Sequence, residues 1–169
     1  MNALLIILRL IHIVGGVLWV GTALLNTFFL APTVAATAEA GQKFMGHLVT
    51  KARLTARVTL ASYLTLLSGA CLYWIDSQGF TSAWQSSGPG VGFGLGAAAG
   101  FIGLGFGQLV GKNATLVARL AGQTEGTPSL DQSAAIQKAQ TRMTSAGRIS
   151  TSFLIVSLVL MATARYWHF

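Results

Sequence analysis

Arg9 and His12 stand inside a long apolar run, and with Gly16, Trp19, Ala23 and Asn26 they recur at helical spacing. At 100° per residue these six positions fall within an arc of roughly 100°, which makes a polar stripe on an otherwise oily helix. An ionisable group near the centre of a bilayer costs about 2.5 to 3.5 kcal/mol on insertion scales, so each one needs a partner or a purpose. Imidazole is the commonest metal ligand among side chains, and Gly15-Gly16 beside His12 leaves room for a flat group. Arg9 would pair with an anion carried by such a group. The stripe thus reads as a cofactor or metal site formed by His12, Arg9 and Trp19. It reads equally as a lock between helices, with Arg9 reaching headgroups or pairing with Asp76 and His12 bonding a hydroxyl or a carbonyl.

A second ligand has few sources. His47 lies between spans and His168 at the far rim, so the two-histidine haem of many helical bundles is not written here. Met161 and Cys71 sit at depths comparable with His12, which admits a His/Met haem or a soft His/Cys/Met copper site, with ordinary packing as the competing role of both sulfur residues. Other chemistries find less. There is no GxSxG, HExxH or phosphate-binding loop, and the four acidic residues, Glu39, Asp76, Glu125 and Asp131, all fall outside the apolar blocks. That placement disfavours a carboxylate relay for protons or cations.

The elements that must position these residues follow from composition. With 53% hydrophobic and 9% charged residues, the chain cannot cover a globule of its size with polar surface. Its apolar residues gather into four blocks, 3–31, 58–75, 91–110 and 149–166, each close to the roughly 20 residues that cross a bilayer core. Backbone amides find no water there, so the blocks are expected to be helices in one domain, 1–169. The first block lacks a basic leader and is too long for a signal peptide, so it reads as a retained helix.

Net charge is +7, yet the cations follow the membrane rather than a nucleic-acid pattern. Lys43, Lys51, Arg53 and Arg57 separate the first two blocks, Lys112, Arg119, Lys138, Arg142 and Arg148 separate the last two, and 76–90 holds none. Cytoplasmic loops carry the excess of Lys and Arg, which places both basic loops inside and both termini outside. Tyr73, Trp74, Phe80, Trp84, Tyr166, Trp167 and Phe169 then form an outer aromatic belt.

Between the blocks, Pro32 is expected to end the first span, and 33–57 suits a helix on or near the inner face. Ser86-Ser87-Gly88-Pro89-Gly90 marks a turn before the third span. That span's glycines fit no GxGxxG register; Gly96/Gly100 and Gly103/Gly107/Gly111 are instead steps that let another helix approach closely. Gly122 reads as a helix stop, and Ser129-Leu130-Asp131-Gln132 as a capping box opening a surface helix whose weakly apolar face is Ile136, Ala139, Met143 and Ala146. Arg53 to Thr59 and Arg142 to Ser150 echo one another faintly, as two helical hairpins of one polarity would.

Leu8-Arg9-Leu10-Ile11-His12, then Gly16, Trp19 and Gly21, then Phe29-Leu30-Ala31-Pro32, resembles the opening helix of small bacterial four-helix membrane families. These are the CopD-like copper-resistance proteins and the HemJ-type protoporphyrinogen oxidases. The resemblance to the second implies haem b held by His12, with Trp19 and Pro32 matching pattern positions; the first implies copper handling. The expectation carried forward is an all-α four-helix transmembrane bundle of the bacterial cytoplasmic (inner) membrane. Its surroundings are lipid, and it forms a homo-oligomer or joins a membrane complex, without nucleic acid. Its function is haem-associated or redox-linked through His12, with a non-catalytic accessory or assembly subunit as the alternative and copper or small-solute transport third.

Overall fold

The computed structural model describes residues 3–123 and 129–169, and among them every regular element is a helix. Helix α1 spans Ala3–Leu25 and passes through a π-helical turn, Asn26–Leu30, into the short α2, Ala31–Ala36. Helix α3 (Ala38–Thr50) and the long α4 (Leu54–Asp76) follow, then the single turn α5 (Ser82–Gln85), α6 (Gly88–Gly122) and α7 (Leu130–Thr163), which ends in a 3₁₀ turn at Ala164–Tyr166. Four of these stretches are long and apolar enough to cross a membrane: Ala3–Ala36, Leu54–Asp76, Gly88–Gly122 and Leu130–Tyr166. Large apolar side chains such as Val17, Leu18, Leu67 and Phe101 are exposed along them, an arrangement that suits acyl chains and not water. The chain is an integral membrane protein by this measure.

Two of the expected boundaries shift. Pro32 does not end the first helix. The wide π turn immediately before it changes the hydrogen-bond ladder, with the Ala31 amide reaching back to the Asn26 carbonyl, and Pro32 then sits in the first turn of α2, where its missing N–H costs nothing. The chain instead breaks at Ala38, whose φ of 45° is left-handed, and again at Arg53, with φ of 51°. The second shift is at Gly147: the expected surface helix and the fourth span are one unbroken helix. Its weakly apolar face turns inward at Ala139 and Ala146, which are buried on the side of α7 that packs on α6. At about 1.5 Å per residue, the 35 residues of α6 and 34 of α7 run about 50 Å, so the pair projects well beyond a hydrocarbon core of about 30 Å.

The helices pair as two antiparallel hairpins, α1 with α4 and α6 with α7. Glycine makes the second pair close. Gly96 lies against Met161, Gly100 against Ser157, Gly103 against Leu154 and Gly107 against Ser150, so one stripe of α6 faces α7 in a constant register. Hydroxyls stitch the seam: Ser150 Oγ donates to the Gly103 carbonyl and Ser157 Oγ to that of Gly96, both at 2.7 Å. Gly111 departs from the stripe and meets Thr55 of α4. Where the hairpins join, Trp19 packs with Ala61 and Leu154, flanked by Val58, Leu66 and Leu104, so that all four long helices contribute to one core. Thr27 and Thr151 hydroxyls, 2.7 Å apart, add a polar contact between α1's continuation and α7.

Polar residues divide the bundle into two ends. Tyr73, Phe80 and Trp84 cluster at one, with Tyr73 and Trp84 edge to face at 5.0 Å and the Tyr73 hydroxyl donating to the Gly90 carbonyl. Nine of the eleven cations lie toward the other. The free tip of α7 is closed by the expected capping box, Ser129 Oγ accepting from the Gln132 amide and Gln132 Oε1 from the Ser129 amide. Ser129→Ala should therefore cost about 1 kcal/mol of local helix stability. Faster amide exchange confined to the first turns of α7 would verify this; a change spread over the whole helix would not fit.

Candidate functional site

The seam between α1 and α4 is built from small residues on one side and small residues on the other. Along α4, Ala61, Thr65 and Gly69 recur every four residues and form one shallow face. Along α1, His12, Gly15, Gly16 and Trp19 face it. The two surfaces fill each other reciprocally. His12 enters the hollow at Gly69, where an added Cβ would stand 2.7 Å from His12 Cε1 and 2.9 Å from Nδ1. Thr65 enters the hollow at Gly15, where a Cβ would meet Thr65 Oγ1 at 2.6 Å and the Ala61 carbonyl at 3.2 Å.

The imidazole is tethered as well as packed. His12 Nδ1–H donates to the Thr65 carbonyl at 2.8 Å, and Ser68 Oγ is within 3.1 Å of the same oxygen while donating more closely, at 2.6 Å, to Leu64. The Thr65 hydroxyl is occupied by the Ala61 carbonyl at 2.8 Å. A carbonyl oxygen can only accept, so in the neutral ring the proton resides on Nδ1 and Nε2 keeps its lone pair. His12 is half-buried. The bond therefore selects one tautomer of the neutral ring, the one whose Nε2 can ligate a metal or accept a hydrogen bond.

The remaining candidates are placed apart. Trp19, 5% exposed, belongs to the core where the hairpins join. Met161 lies on Gly96 across the α6–α7 seam, with Cγ and Cε at 3.1 and 3.2 Å from where a Cβ would be. Cys71 is exposed, and two residues beyond Gly69 means about 200° around α4 from the hollow that receives His12. These positions do not bring Cys71 to the imidazole. Arg9 is exposed and not ion-paired with Asp76; among the described residues the only ion pair is Lys43 with Glu39, at 2.7 Å. The hydrogen bond to Lys43, and secondarily its charge, hold the Glu39 carboxyl below its ordinary range. Glu125 lies outside the described residues.

One reading of the sequence changes accordingly. Gly15 does not leave room for a flat group, because Thr65 occupies that space; Gly16 is less crowded, with Thr65 Cγ2 at 3.7 Å. The residues that give His12 its setting, Thr65, Ser68 and Gly69, were not singled out from the sequence. Their signal was the Ala61-x₃-Thr65-x₃-Gly69 repeat, a small-residue stripe of the same kind as the glycine steps of α6. Among the described residues, no group of three or more His, Cys, Asp and Glu side chains converges as a ready metal site. No protein-family model, curated protein or solved structure matches the chain.

Proposed function

We propose that this chain is a haem-associated, redox-linked protein of the bacterial cytoplasmic membrane, with the basic end of the bundle in the cytoplasm, both termini outside and His12 as its contributed axial ligand. The observation that carries this reading is the bond from His12 Nδ1–H to the Thr65 carbonyl. Metal-ligating histidines characteristically tether their second nitrogen in this way, which fixes the ring and raises the basicity of the free one. The sidedness rests on the excess of Lys and Arg in the loops at one end and on the aromatic side chains at the other. One imidazole fills one axial position, so the other falls to a second copy of the chain or to a membrane partner. Haem b accounts for the site better than copper does, since the soft donors Cys71 and Met161 stand elsewhere.

The visible spectrum of the protein purified in detergent and supplied with haem tests this directly. A Soret band is expected in the native chain, with affinity falling more than about a hundredfold in His12→Ala and unchanged in Cys71→Ser and Met161→Leu. A colourless native protein under the same conditions removes the proposal.

A second reading, a non-catalytic accessory or assembly subunit, draws on the reciprocal filling of the Gly15 and Gly69 hollows. On that reading His12 holds two helices together and ligates nothing. His12→Ala would then loosen the first hairpin, and the native chain would remain colourless while co-purifying with a larger membrane complex.

A further inference from the structure

The basic end of the bundle is organised in height. Thr55 of α4 touches Gly111 of α6, and Gly147 of α7 lies 3.7 Å, measured from an added Cβ, from Val110. These contacts bring the basic-end termini of three spans, the start of the second and fourth and the end of the third, to one level, and with them Arg57, Lys112 and Arg148. Lys51 and Arg53 join them from the turn that leads into α4, where Arg53 takes its left-handed conformation. All five side chains are exposed, and among the described residues none has an ion-pair partner. Glu39 is engaged by Lys43, and Asp131 stands in the first turn of α7, about 25 Å along the helix from Arg148 at 1.5 Å per residue.

Each of the three helices also shows an exposed large apolar side chain beside its cation, on the membrane side. Leu60 lies one turn from Arg57, Leu109 one turn from Lys112, and Ile149 next to Arg148; their exposures are 60%, 46% and 39%. Residues three apart share a helix face, as Leu60 does with Arg57 and Leu109 with Lys112, while Ile149 stands about 100° around α7 from Arg148. A cation with an apolar neighbour at constant height complements a molecule that has an anionic head and an acyl tail. Lys138 and Arg142 lie farther out on α7, about 15 and 9 Å beyond Arg148 at 1.5 Å per residue, away from the level at which the three spans meet.

We propose that Lys51, Arg53, Arg57, Lys112 and Arg148 form a collar that binds anionic phospholipid headgroups of the membrane around the bundle. Charge complementarity selects the anion, and the adjoining leucines and isoleucine select lipid over a polynucleotide, which offers no tail to cover them. The collar makes no use of His12, so it stands or falls separately from the haem proposal. An anionic lipid held there would also bind the two hairpins together, because Arg57 belongs to one and Lys112 and Arg148 to the other.

The test uses the full chain in nanodiscs of mixed phosphatidylglycerol and phosphatidylcholine, with the lipids that stay bound on release counted by native mass spectrometry. Phosphatidylglycerol is expected to be retained about tenfold over its share of the bilayer, as one or two cations contacting each headgroup would give. Raising the salt concentration should reduce that enrichment in the native chain, which needs no variant. Changing the five collar cations to Gln should bring the ratio to parity while circular dichroism shows helicity unchanged; K138Q with R142Q should leave it intact. Equal retention of both lipids by the native chain overturns the proposal. So does an enrichment that disappears with Lys138 and Arg142 but survives loss of the collar, or retention of nucleic acid in place of lipid.

Discussion

Gly103→Val is expected to destabilise the bundle by about 3 kcal/mol, at the top of the usual range for overpacking, while Gly105→Val on the same helix changes stability by a few tenths at most. A Cβ at 103 would stand 2.8 and 2.9 Å from Leu154 Cδ2 and Cγ, and Leu154 is 1% exposed, so its side chain has nowhere to swing. The backbones must separate instead. Separation stretches the bonds from Ser150 to the Gly103 carbonyl and from Ser157 to the Gly96 carbonyl, which lie on the same seam. At Gly105 nothing lies within 4 Å, so there the added side chain meets no other part of the protein. In a bilayer no hydrophobic force between helices compensates for lost contact, because acyl chains are as apolar as leucine. Reversible unfolding in mixed micelles measures both variants; similar losses at the two positions would refute the assigned register.

The same physics explains how far the sequence could be read. Spans were legible because a bilayer imposes a length and a composition on every segment that crosses it, and the cations sort by end for the same reason. The glycine steps of α6 were legible because eight glycines in an apolar run have few other uses, and Gly96, Gly100, Gly103 and Gly107 do face α7. Gly111 could not be assigned to Thr55 from spacing, since its partner belongs to another hairpin. The first helix runs past the end expected at Pro32 because, although a proline usually stops a helix, the π turn that accommodates it has no residue signature in Asn26–Leu30. Trp19 was grouped with the stripe that carries His12, correctly as to face; its burial among Ala61 and Leu154 depends on helices that meet only in three dimensions.

The setting of His12 was the least legible feature. Its partner is a backbone carbonyl, and every residue has one, so no side-chain pattern could single out Thr65. The hollow at Gly69 was hidden for a different reason. In α4, alanines, serines and threonines occur on several faces, and the stripe of Ala61, Thr65 and Gly69 stands out weakly from them. A polar residue in a span thus announces that it has a partner without saying which helix provides it.

Filling that hollow gives the second large effect. Gly69→Val alone should cost about 3 kcal/mol, because its methyl groups would occupy the volume of the imidazole and force His12 away from the Thr65 carbonyl. His12→Ala alone should cost about 2 kcal/mol, from the cavity it leaves and the interhelical hydrogen bond it removes. Combined, the two changes exchange a large residue facing a small one for a small residue facing a large one. The double variant is therefore expected to recover most of the summed loss, a coupling well beyond the few tenths seen between independent sites. Additive losses would mean that His12 and Gly69 do not pack as described. Ligation is affected differently, since valine fills space but offers no lone pair. If His12 holds haem, the double variant regains its stability and remains colourless; if the imidazole serves only to join α1 to α4, restoring the packing restores everything the protein does.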